Sequence, residues 1–433
     1  MSATAIAALV VFAAAYVLIA TEKVNRAAVA LGGAAAMVVI AGARGHQIFF
    51  SESTGIDWNV IFLLLGMMIL VGILRTTGVF EYLAIWSAQR AGGRPFRMMV
   101  LLVLITAVAS ALLDNVTTVL LIAPVTLLLC DRLRLNPVPF LLAEVMASNI
   151  GGTATLIGDP PNIIIASRAG FSFNDFLVNL APIVVVLLAV FIGLCWLLWG
   201  RHLRHDPERA AAVMVLNARE TITDALLLRR IGVVLLVVLV GFITHSVTHI
   251  EPSLVALLGA GVAIVVSRLR AESFLADVEW ETLLFFAGLF VMVGTLVQQG
   301  VIGELAQALT GTVASNPLLA AEVFLVGSAV LSGLVDNIPY VATMSPLVLD
   351  LVGPAEGLSP QNSAIWWALA LGADLGGNAT AIGASANVVV TGIARRNGHP
   401  ISFWTFTRYG IIVTVVTIAI CVPYVALRYS LLP

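Results

Sequence analysis

The chain has 433 residues, of which 60% are hydrophobic and only 11% are charged, and its mean hydropathy is +1.04. A soluble domain carries about 25% charged residues, so this composition excludes a water-soluble protein and predicts an all-α polytopic protein of the lipid bilayer. The net charge of −2 and the lack of a basic stripe give no sign of nucleic-acid binding.

Apolar runs close to the ~20 residues that a bilayer crossing needs recur along the chain. They cover 3–20, 25–43, 57–75 and 176–199 in the first half, and 229–249, 253–267, 279–297 and 404–427 in the second. No basic segment precedes the first run, so we interpret it as a span rather than a cleavable signal peptide. With the interrupted segments described next, we expect about 10 transmembrane helices.

Two further apolar segments, 98–130 and 318–351, are interrupted at their middle by Asp114-Asn115 and Asp336-Asn337. Each arm is about 15 residues long, which is short for a crossing. Asp is also a favoured residue at the start of a helix. The sequence therefore predicts two re-entrant hairpins, each with its Asp-Asn pair at the tip.

The segments 138–168 and 363–394 are broken by glycines, and the first also by Pro160-Pro161. We predict two broken helices, unwound at GGTATLIG (151–158) and GGNATAIG (376–383). Non-helical backbone at membrane depth is tolerated only where it is buried in protein or lines a cavity.

These motifs occur once in each half. At an offset of 222 residues Asp114 aligns with Asp336, and at 225 the two glycine-rich segments align. The pattern predicts two inverted-topology repeats, 1–200 and 229–433, joined by a solvated cytoplasmic linker at 201–228. Secondary transporters built in this way place their site where the repeats meet.

The basic residues predict the orientation. If each hairpin enters and leaves on one side, nineteen of the 22 basic residues lie on one face, and only Arg44, Arg168 and Arg428 on the other. The positive-inside rule makes the crowded face cytoplasmic. We therefore expect a multi-pass protein of the bacterial inner membrane with both termini outside.

Five acids lie inside apolar segments, and the sequence places no Lys or Arg among them: Asp114, Glu144, Asp159, Asp336 and Asp374. Intramembrane acids are costly and usually functional, so we predict that they couple transport to protons. For Asp114 and Asp336, the alternative is that each merely caps the returning helix. The other three have no acidic counterpart in the opposite repeat, which favours distinct roles.

Neutral polar residues beside these acids are the candidates for substrate or ion binding, since their side chains and free backbone carbonyls can hold ions and hydroxyl groups. Ordinary contacts between helices are the alternative. The candidates are Asn115, Thr117, Thr118, Thr153, Thr155, Asn162, Asn337, Asn378, Thr380, Ser385 and Asn387.

No catalytic residue, metal or cofactor is expected, because the chain lacks HExxH and GxSxG motifs. Cys130, Cys195 and Cys421 are scattered and are interpreted as apolar filler. Trp366, Trp367 and Trp404 are expected at the membrane interfaces.

The segments ALLDNVTTVLLIAP (111–124) and ASNIGGTATLIGDPPN (147–162) resemble the ion transporter superfamily. It contains ArsB arsenite pumps, NhaD sodium/proton antiporters, the melanosomal P protein and divalent-anion/sodium symporters. The resemblance covers nearly the whole chain and is strongest on the ArsB and P-protein side. It implies a scaffold part, and a transport part made of the hairpins and broken helices. The symporters carry Ser-Asn-Thr where this chain has Asp114-Asn115 and Asp336-Asn337, which argues against a dicarboxylate carrier.

Among the functions that the resemblance implies, we expect efflux of arsenite and antimonite in exchange for protons. Arsenite is an uncharged trihydroxide near neutral pH, and a site of Asp, Asn, Thr and backbone groups without a base suits such a solute. Sodium/proton exchange is the first alternative, and dicarboxylate or citrate symport the second. Coupling to Na⁺, a homodimer and association with an arsenical ATPase subunit stay open. An enzyme and a channel are both disfavoured.

Overall fold

The computed structural model describes residues 2–21, 24–42, 45–51, 54–203, 206–215 and 217–430. Within these ranges every regular element is helical, as predicted, and 22 α-helices are numbered here in chain order. Three basic residues used to predict the orientation, Lys23, Arg44 and Arg204, lie outside the described residues.

The helices follow the predicted segments closely. The first half contains α1 (Ala3–Thr21), α2 (Arg26–Ala41), α3 (Gly45–Phe50), α4 (Trp58–Arg75), α5 (Val79–Arg90), α6 (Pro95–Leu112), α7 (Asn115–Leu133), α8 (Val138–Gly152), α9 (Pro160–Ala169), α10 (Phe173–Asn179) and α11 (Ala181–Leu198). The linker contains α12 (Pro207–Met214). The second half contains α13 (Ala225–Thr248), α14 (Pro252–Ser267), α15 (Ala271–Leu275), α16 (Trp280–Gln298), α17 (Val301–Ser315), α18 (Pro317–Leu334), α19 (Asn337–Val352), α20 (Pro360–Gly376), α21 (Ser385–Arg396) and α22 (Phe403–Ser430).

Of the described helices, nine are long and apolar enough to cross a membrane: α1, α4, α6, α7, α11, α13, α16, α18 and α22. Four more apolar helices are shorter: α2, α8, α14 and α19. The predicted span 176–199 is divided, because α10 forms a separate short helix with a capping box between Ser172 and Asp175. These apolar helices show that the chain is a multi-pass membrane protein.

Two helix pairs with only a two-residue break occupy the predicted hairpins. Each Asp at a break accepts a hydrogen bond from the helix that follows: Asp114 Oδ1 from the N–H of Thr117 at 2.8 Å, and Asp336 Oδ1 from the N–H of Ile338 at 3.0 Å. These caps explain why α7 and α19 begin where they do. The re-entrant path of the hairpins in a bilayer stays a prediction.

Both predicted broken helices are interrupted at their glycine-rich motifs, between α8 and α9 and between α20 and α21. The glycines let each broken helix touch a hairpin. A Cβ on Gly151 would stand 2.2 Å from the carbonyl oxygen of Ala107, and a Cβ on Gly376 would stand 2.5 Å from that of Ala329. Ala107 and Ala329 are themselves 222 residues apart, so equivalent contacts occur in the two halves.

Helix packing separates two groups. A first group, called the scaffold group here, consists of α1, α2, α4, α13, α14 and α16, in which α4 packs along α14 and α2 along α16. A second group, called the hairpin group, consists of α6 to α9 and α18 to α22. This division matches the two parts that the resemblance implied. The inverted relation of the repeats stays a prediction, as do their bounds.

Part of the linker packs on the first half, and its solvated cytoplasmic placement stays a prediction. α12 contacts α5 and α7, and Ala210 is buried. Thr223 donates its N–H to the carbonyl of Thr77 at 3.1 Å. Gly78, at φ +75°, permits this approach, since a Cβ there would stand 1.8 Å from the carbonyl oxygen of Thr221.

Two tryptophans depart from the expected interfacial position. Trp366 and Trp367 are fully buried, and the indole N–H of Trp366 donates to the carbonyl of Gly353. Trp404 is 76% exposed, as an interfacial residue would be. The cysteines are buried free thiols, consistent with apolar filler.

Candidate functional site

One buried carboxylate lies where the tips of both hairpins meet the first broken helix. Asp159, just before α9, has no exposed surface. Its Oδ2 accepts a hydrogen bond from Asn115 Nδ2 at 2.8 Å. Asn337 Nδ2 lies 3.3 Å from each oxygen of the same carboxylate. The equivalent asparagines of the two halves therefore share one acceptor, which only the first half supplies.

A row of amides extends this cluster across the two halves. Asn149 Oδ1 accepts from Asn115 Nδ2 at 3.2 Å, while Asn149 Nδ2 donates to Asn378 Oδ1 at 2.9 Å and to Asn387 Oδ1 at 3.1 Å. Our sequence analysis did not select Asn149. A signal was present, since Asn149 aligns at offset 225 with Asp374, which was selected.

Several buried oxygens of the cluster have no hydrogen-bond donor among the described residues. They are both carboxylate oxygens of Asp374 and the amide oxygens of Asn115 and Asn162. Asp374 has no exposed surface, and it lies near Thr153 and Asn162. Buried acceptors without a donor are rare because they are costly. A proton or a cation would satisfy them.

The hairpin-tip acids lie in the same region. Asp114 and Asp336 are both near enough to Asp159 to repel its negative charge. Asp336 Oδ2 accepts a hydrogen bond from the hydroxyl of Ser385 at 2.6 Å. Asp114 faces Glu279, which immediately precedes α16. Four intramembrane acids therefore converge: Asp114, Asp159, Asp336 and Asp374. Glu144 lies apart and accepts a hydrogen bond from the hydroxyl of Thr126 at 2.6 Å.

A basic residue accompanies these acids, contrary to the expectation from sequence. Arg26, the first residue of α2, donates to the hydroxyl of Ser385 at 2.5 Å and to that of Thr282 at 3.1 Å. Its guanidinium lies 3.8 Å from Asp336 Oδ2. The sequence analysis counts Arg26 among the basic residues of the predicted cytoplasmic face. The signal that it belongs to the site was its place at the start of the apolar run 25–43.

Four of the predicted binding residues donate hydrogen bonds that fix the unwound segments. The hydroxyl of Thr155 donates to Ala111 O, and that of Thr380 donates to Gly333 O. Asn162 donates to two carbonyls of its own unwound segment, as Asn387 does in the second half. The four positions correspond in pairs, so equivalent hydrogen bonds occur in the two halves.

The remaining candidates are distributed around the cluster. The hydroxyl of Thr153 donates to the carbonyl of Asn149 at 2.9 Å. Thr117 contributes its backbone N–H to Asp114. Thr118 is buried, and its hydroxyl has no partner among the described residues.

Two cavities lie on opposite faces, and the larger one reaches Asp336 at the tip of the second hairpin. The larger, of about 670 Å³, is lined by residues that include Arg26, Glu279, Glu281, Thr282, Asp336 and Ser385. The smaller, of about 260 Å³, is lined by Asn59, Ser167, His245, Glu251 and Ser253 among others. The larger cavity lies at the start of α2, where Arg26 stands. The smaller cavity lies at the start of α4, on the face where α2 ends.

The smaller cavity is bridged at its edge. Asp57, which caps α4 in the scaffold group, accepts a hydrogen bond from the hydroxyl of Ser167 on α9 at 2.5 Å. The larger cavity reaches the tip of the second hairpin at Asp336. The site is therefore more accessible from the face where α2 and α16 begin, which is the face predicted to be cytoplasmic.

Comparison with known proteins connects this site to transport. A family model described as citrate transporter (CitMHS) matches residues 16–372. An uncharacterized transporter of Mycobacterium tuberculosis (strain ATCC 25618 / H37Rv) is 60% identical, and the match covers 99% of each chain. The P protein of Sus scrofa is 36% identical over 98% of this chain and 59% of its own length.

A solved structure shares the fold. The YdaH transporter of Alcanivorax borkumensis superposes with a TM-score of 0.57 over 84% of each chain, at 15% sequence identity. That identity supports a common fold and nothing finer. The family, the mycobacterial relative and YdaH are transporters rather than enzymes.

Proposed function

Because this chain belongs to the citrate transporter (CitMHS) family, we propose that it is a secondary transporter that moves a small carboxylate of the citrate class together with protons or other cations. The observation that carries the proposal is Asp159, which accepts hydrogen bonds from Asn115 and Asn337 at the two hairpin tips. Movement of either hairpin changes the surroundings of this carboxylate. Its occupancy by a proton or a cation is therefore linked to hairpin position.

The charge of the site favours cation coupling. Asp114, Asp159, Asp336 and Asp374 are all buried, and Arg26 is the basic residue described beside them. Uncompensated charge inside a membrane protein is costly. A protein that carries an anion past these acids must neutralise them, and coupled protons or metal ions would do so.

The arsenite assignment that the sequence motifs favoured loses its main argument. It depended on a site without basic residues, and Arg26 lies 3.8 Å from Asp336. The matching family model and the relatives reported above give no support to arsenite. Arg26 also supplies a basic group for citrate, since a guanidinium is well suited to a carboxylate.

Sodium/proton exchange is the second candidate, and one observation favours it. The unpaired oxygens of Asp374, Asn115 and Asn162 form an all-oxygen set within the cluster. Carbonyl and carboxylate oxygens at broken helices coordinate Na⁺ or H⁺ in other transporters.

Transport by purified protein in proteoliposomes separates the two candidates. We expect citrate uptake driven by an imposed proton or sodium gradient. Asp159→Asn should abolish the coupling, because it removes the charge at almost constant shape. Asp350→Asn, at an exposed acid on α19, is the matched control. Gradient-driven citrate uptake at the wild-type rate in Asp159→Asn would contradict the role of Asp159, and sodium/proton exchange without citrate transport would promote the second candidate.

A further inference from the structure

The two broken helices begin with opposite chemistry. α9 follows Asp159 and starts with Pro160 and Pro161. Proline has no N–H, so this helix start carries a negative charge and has lost two of its donors. α21 follows Ala384, which cannot cap it with a side chain, and starts with Ser385. Its first turn keeps its N–H groups, and the N-terminus of a helix attracts anions.

Two further groups make the start of α21 a place for an anion. The hydroxyl of Ser385 and the guanidinium of Arg26 both lie in the wall of the 670 Å³ cavity. Arg26 belongs to the scaffold group and reaches across to Ser385 and Thr282. The corresponding first position of α14 in the other half is Pro252, which supplies no charge.

A carboxylate of the protein already occupies this place. Asp336 Oδ2 accepts the hydrogen bond of Ser385 at 2.6 Å and lies 3.8 Å from the guanidinium of Arg26. The contact joins the tip of the second hairpin to the scaffold group. It also demonstrates that a carboxylate fits between Ser385 and Arg26.

We propose that Arg26, Ser385 and the first turn of α21 form the subsite for a carboxylate group of the transported solute, and that Asp336 is an internal competitor displaced when the solute binds. This inference rests on the proposed transport of a citrate-class anion. It adds the recognition residue, Arg26, and the reason for coupling.

The displacement links the solute to a proton. Asp336 without Arg26 is a buried carboxylate near another acid and a phenol, so it cannot stay charged at low cost. The groups that face it are Arg26 from α2, Asp159 before α9 and Tyr16 from α1, and Glu279 lines the same cavity. Among them Arg26 is the one cation. Binding of a solute carboxylate to Arg26 therefore draws a proton onto Asp336, and the two move together.

Binding of citrate to the purified full-length protein tests the inference without requiring transport. Calorimetry gives the affinity, and a pH indicator in weakly buffered solution gives the protons taken up. We expect wild-type protein to take up about one proton for each citrate at Asp336. Arg26→Gln should weaken binding on the order of tenfold or more, since a charged hydrogen bond is lost, and Arg26→Lys should recover part of the loss.

Asp336→Asn should act in the opposite direction. It removes the competing charge, so citrate should bind more tightly and without the uptake of a proton at this position. Arg75→Gln is the matched control. Arg75 pairs with Asp277 at 3.0 Å, and neither residue lines the cavity. Thermal unfolding of each variant verifies that it is folded.

The outcomes are distinguishable. Wild-type affinity in Arg26→Gln, or equal weakening by Asp336→Asn and Arg26→Gln, would overturn the subsite. Citrate transport that persists in such a case would leave the proposed function intact. If wild-type protein binds none of citrate, succinate and inorganic phosphate, the subsite is rejected as well. If the protein binds inorganic phosphate but neither citrate nor succinate, the proposed carboxylate subsite would be replaced by a site for another anion.

Discussion

Residues 159–161 and 384–386 occupy equivalent positions in the two halves, yet one reads Asp-Pro-Pro and the other Ala-Ser-Ala. The first presents a negative charge to both hairpin tips, and the second presents the hydroxyl of Ser385 to Arg26. The surrounding backbone contacts do not differ in this way. Ser110 donates to Ser148 O at 2.7 Å, and Ser332 donates to Ala373 O at 2.6 Å.

The comparison shows that the two halves share a framework and divide the chemistry. Small residues and backbone hydrogen bonds, which fix the geometry, are repeated. Apart from Asp114 and Asp336, the charged residues of the site are not repeated: Asp159, Asp374 and Arg26 each occur in one half alone. A carrier of an anion with a cation needs one site of each sign, and a duplicated framework supplies two positions that can specialise separately.

The largest effect on citrate uptake is expected when the second half is given the negative charge of the first. Ala384→Asp places a carboxylate directly before Ser385, where it opposes the anion and competes for Arg26. Several kcal/mol of repulsion are expected at such a desolvated position, so citrate uptake should fall on the order of 100-fold. Ala384→Asn is the uncharged control. Equal loss in both variants would point to crowding instead of charge.

The shared framework is tested by overpacking both halves. Gly151→Ala and Gly376→Ala each push a Cβ against a hairpin backbone, and each should lower the free energy of unfolding by about 1–3 kcal/mol. Thermal unfolding in detergent measures the effect. Gly193→Ala in α11, where a Cβ meets nothing within 4 Å, should be neutral or slightly stabilising. Markedly unequal losses at the two glycines would contradict the equivalence of the contacts.

A smaller, pH-dependent effect is expected from Glu279 at the mouth of the larger cavity. Burial, and next the nearby charge of Asp114, raise the pKa of Glu279 to about 7. Glu279 is therefore neutral below that pH and repels an anion above it. Citrate affinity should fall severalfold more between pH 6 and pH 8 in wild type than in Glu279→Gln, measured by calorimetry. The exposed Glu272→Gln should follow wild type, and identical pH profiles in all three proteins would exclude this role.

The smallest effect is expected from the cysteines. Replacing Cys130, Cys195 and Cys421 together by Ala should leave citrate uptake within about twofold of wild type, because they are buried free thiols that act as small apolar side chains. Loss of uptake with retained thermal stability would show that a thiol takes part in transport.

The breaks in the helices could be predicted because their causes are local. Asp114 and Asp336 cap helices through their own neighbours, Gly151 and Gly376 lie at the ends of α8 and α20, and Pro160 begins α9. Arg26 could not be predicted as part of the site, because its distance from Asp336 depends on how α2 packs against α16. The same limit explains Asn149, which matters only because Asn378 and Asn387 arrive from another part of the chain.

The polarity of a residue within an apolar segment also proved less informative than the hydrogen-bond partner of its side chain. Thr155 and Asn387 were candidates because they are polar, but Thr155 donates to a carbonyl at the end of α6, and Asn387 donates to carbonyls of its own unwound segment. Sequence patterns identify which residues need a hydrogen-bond partner. They do not specify whether that partner is the protein or its cargo.

The sharing of Asp159 between the halves has a consequence for biosynthesis. A nascent chain inserted as far as the linker contains Asp159 and one of its two donors, Asn115, while Asn337 has still to be translated. Asn149 likewise waits for Asn378 and Asn387. The first half therefore enters the membrane with an incompletely paired acid at its centre, so completion of the second half is also the step that stabilises the first.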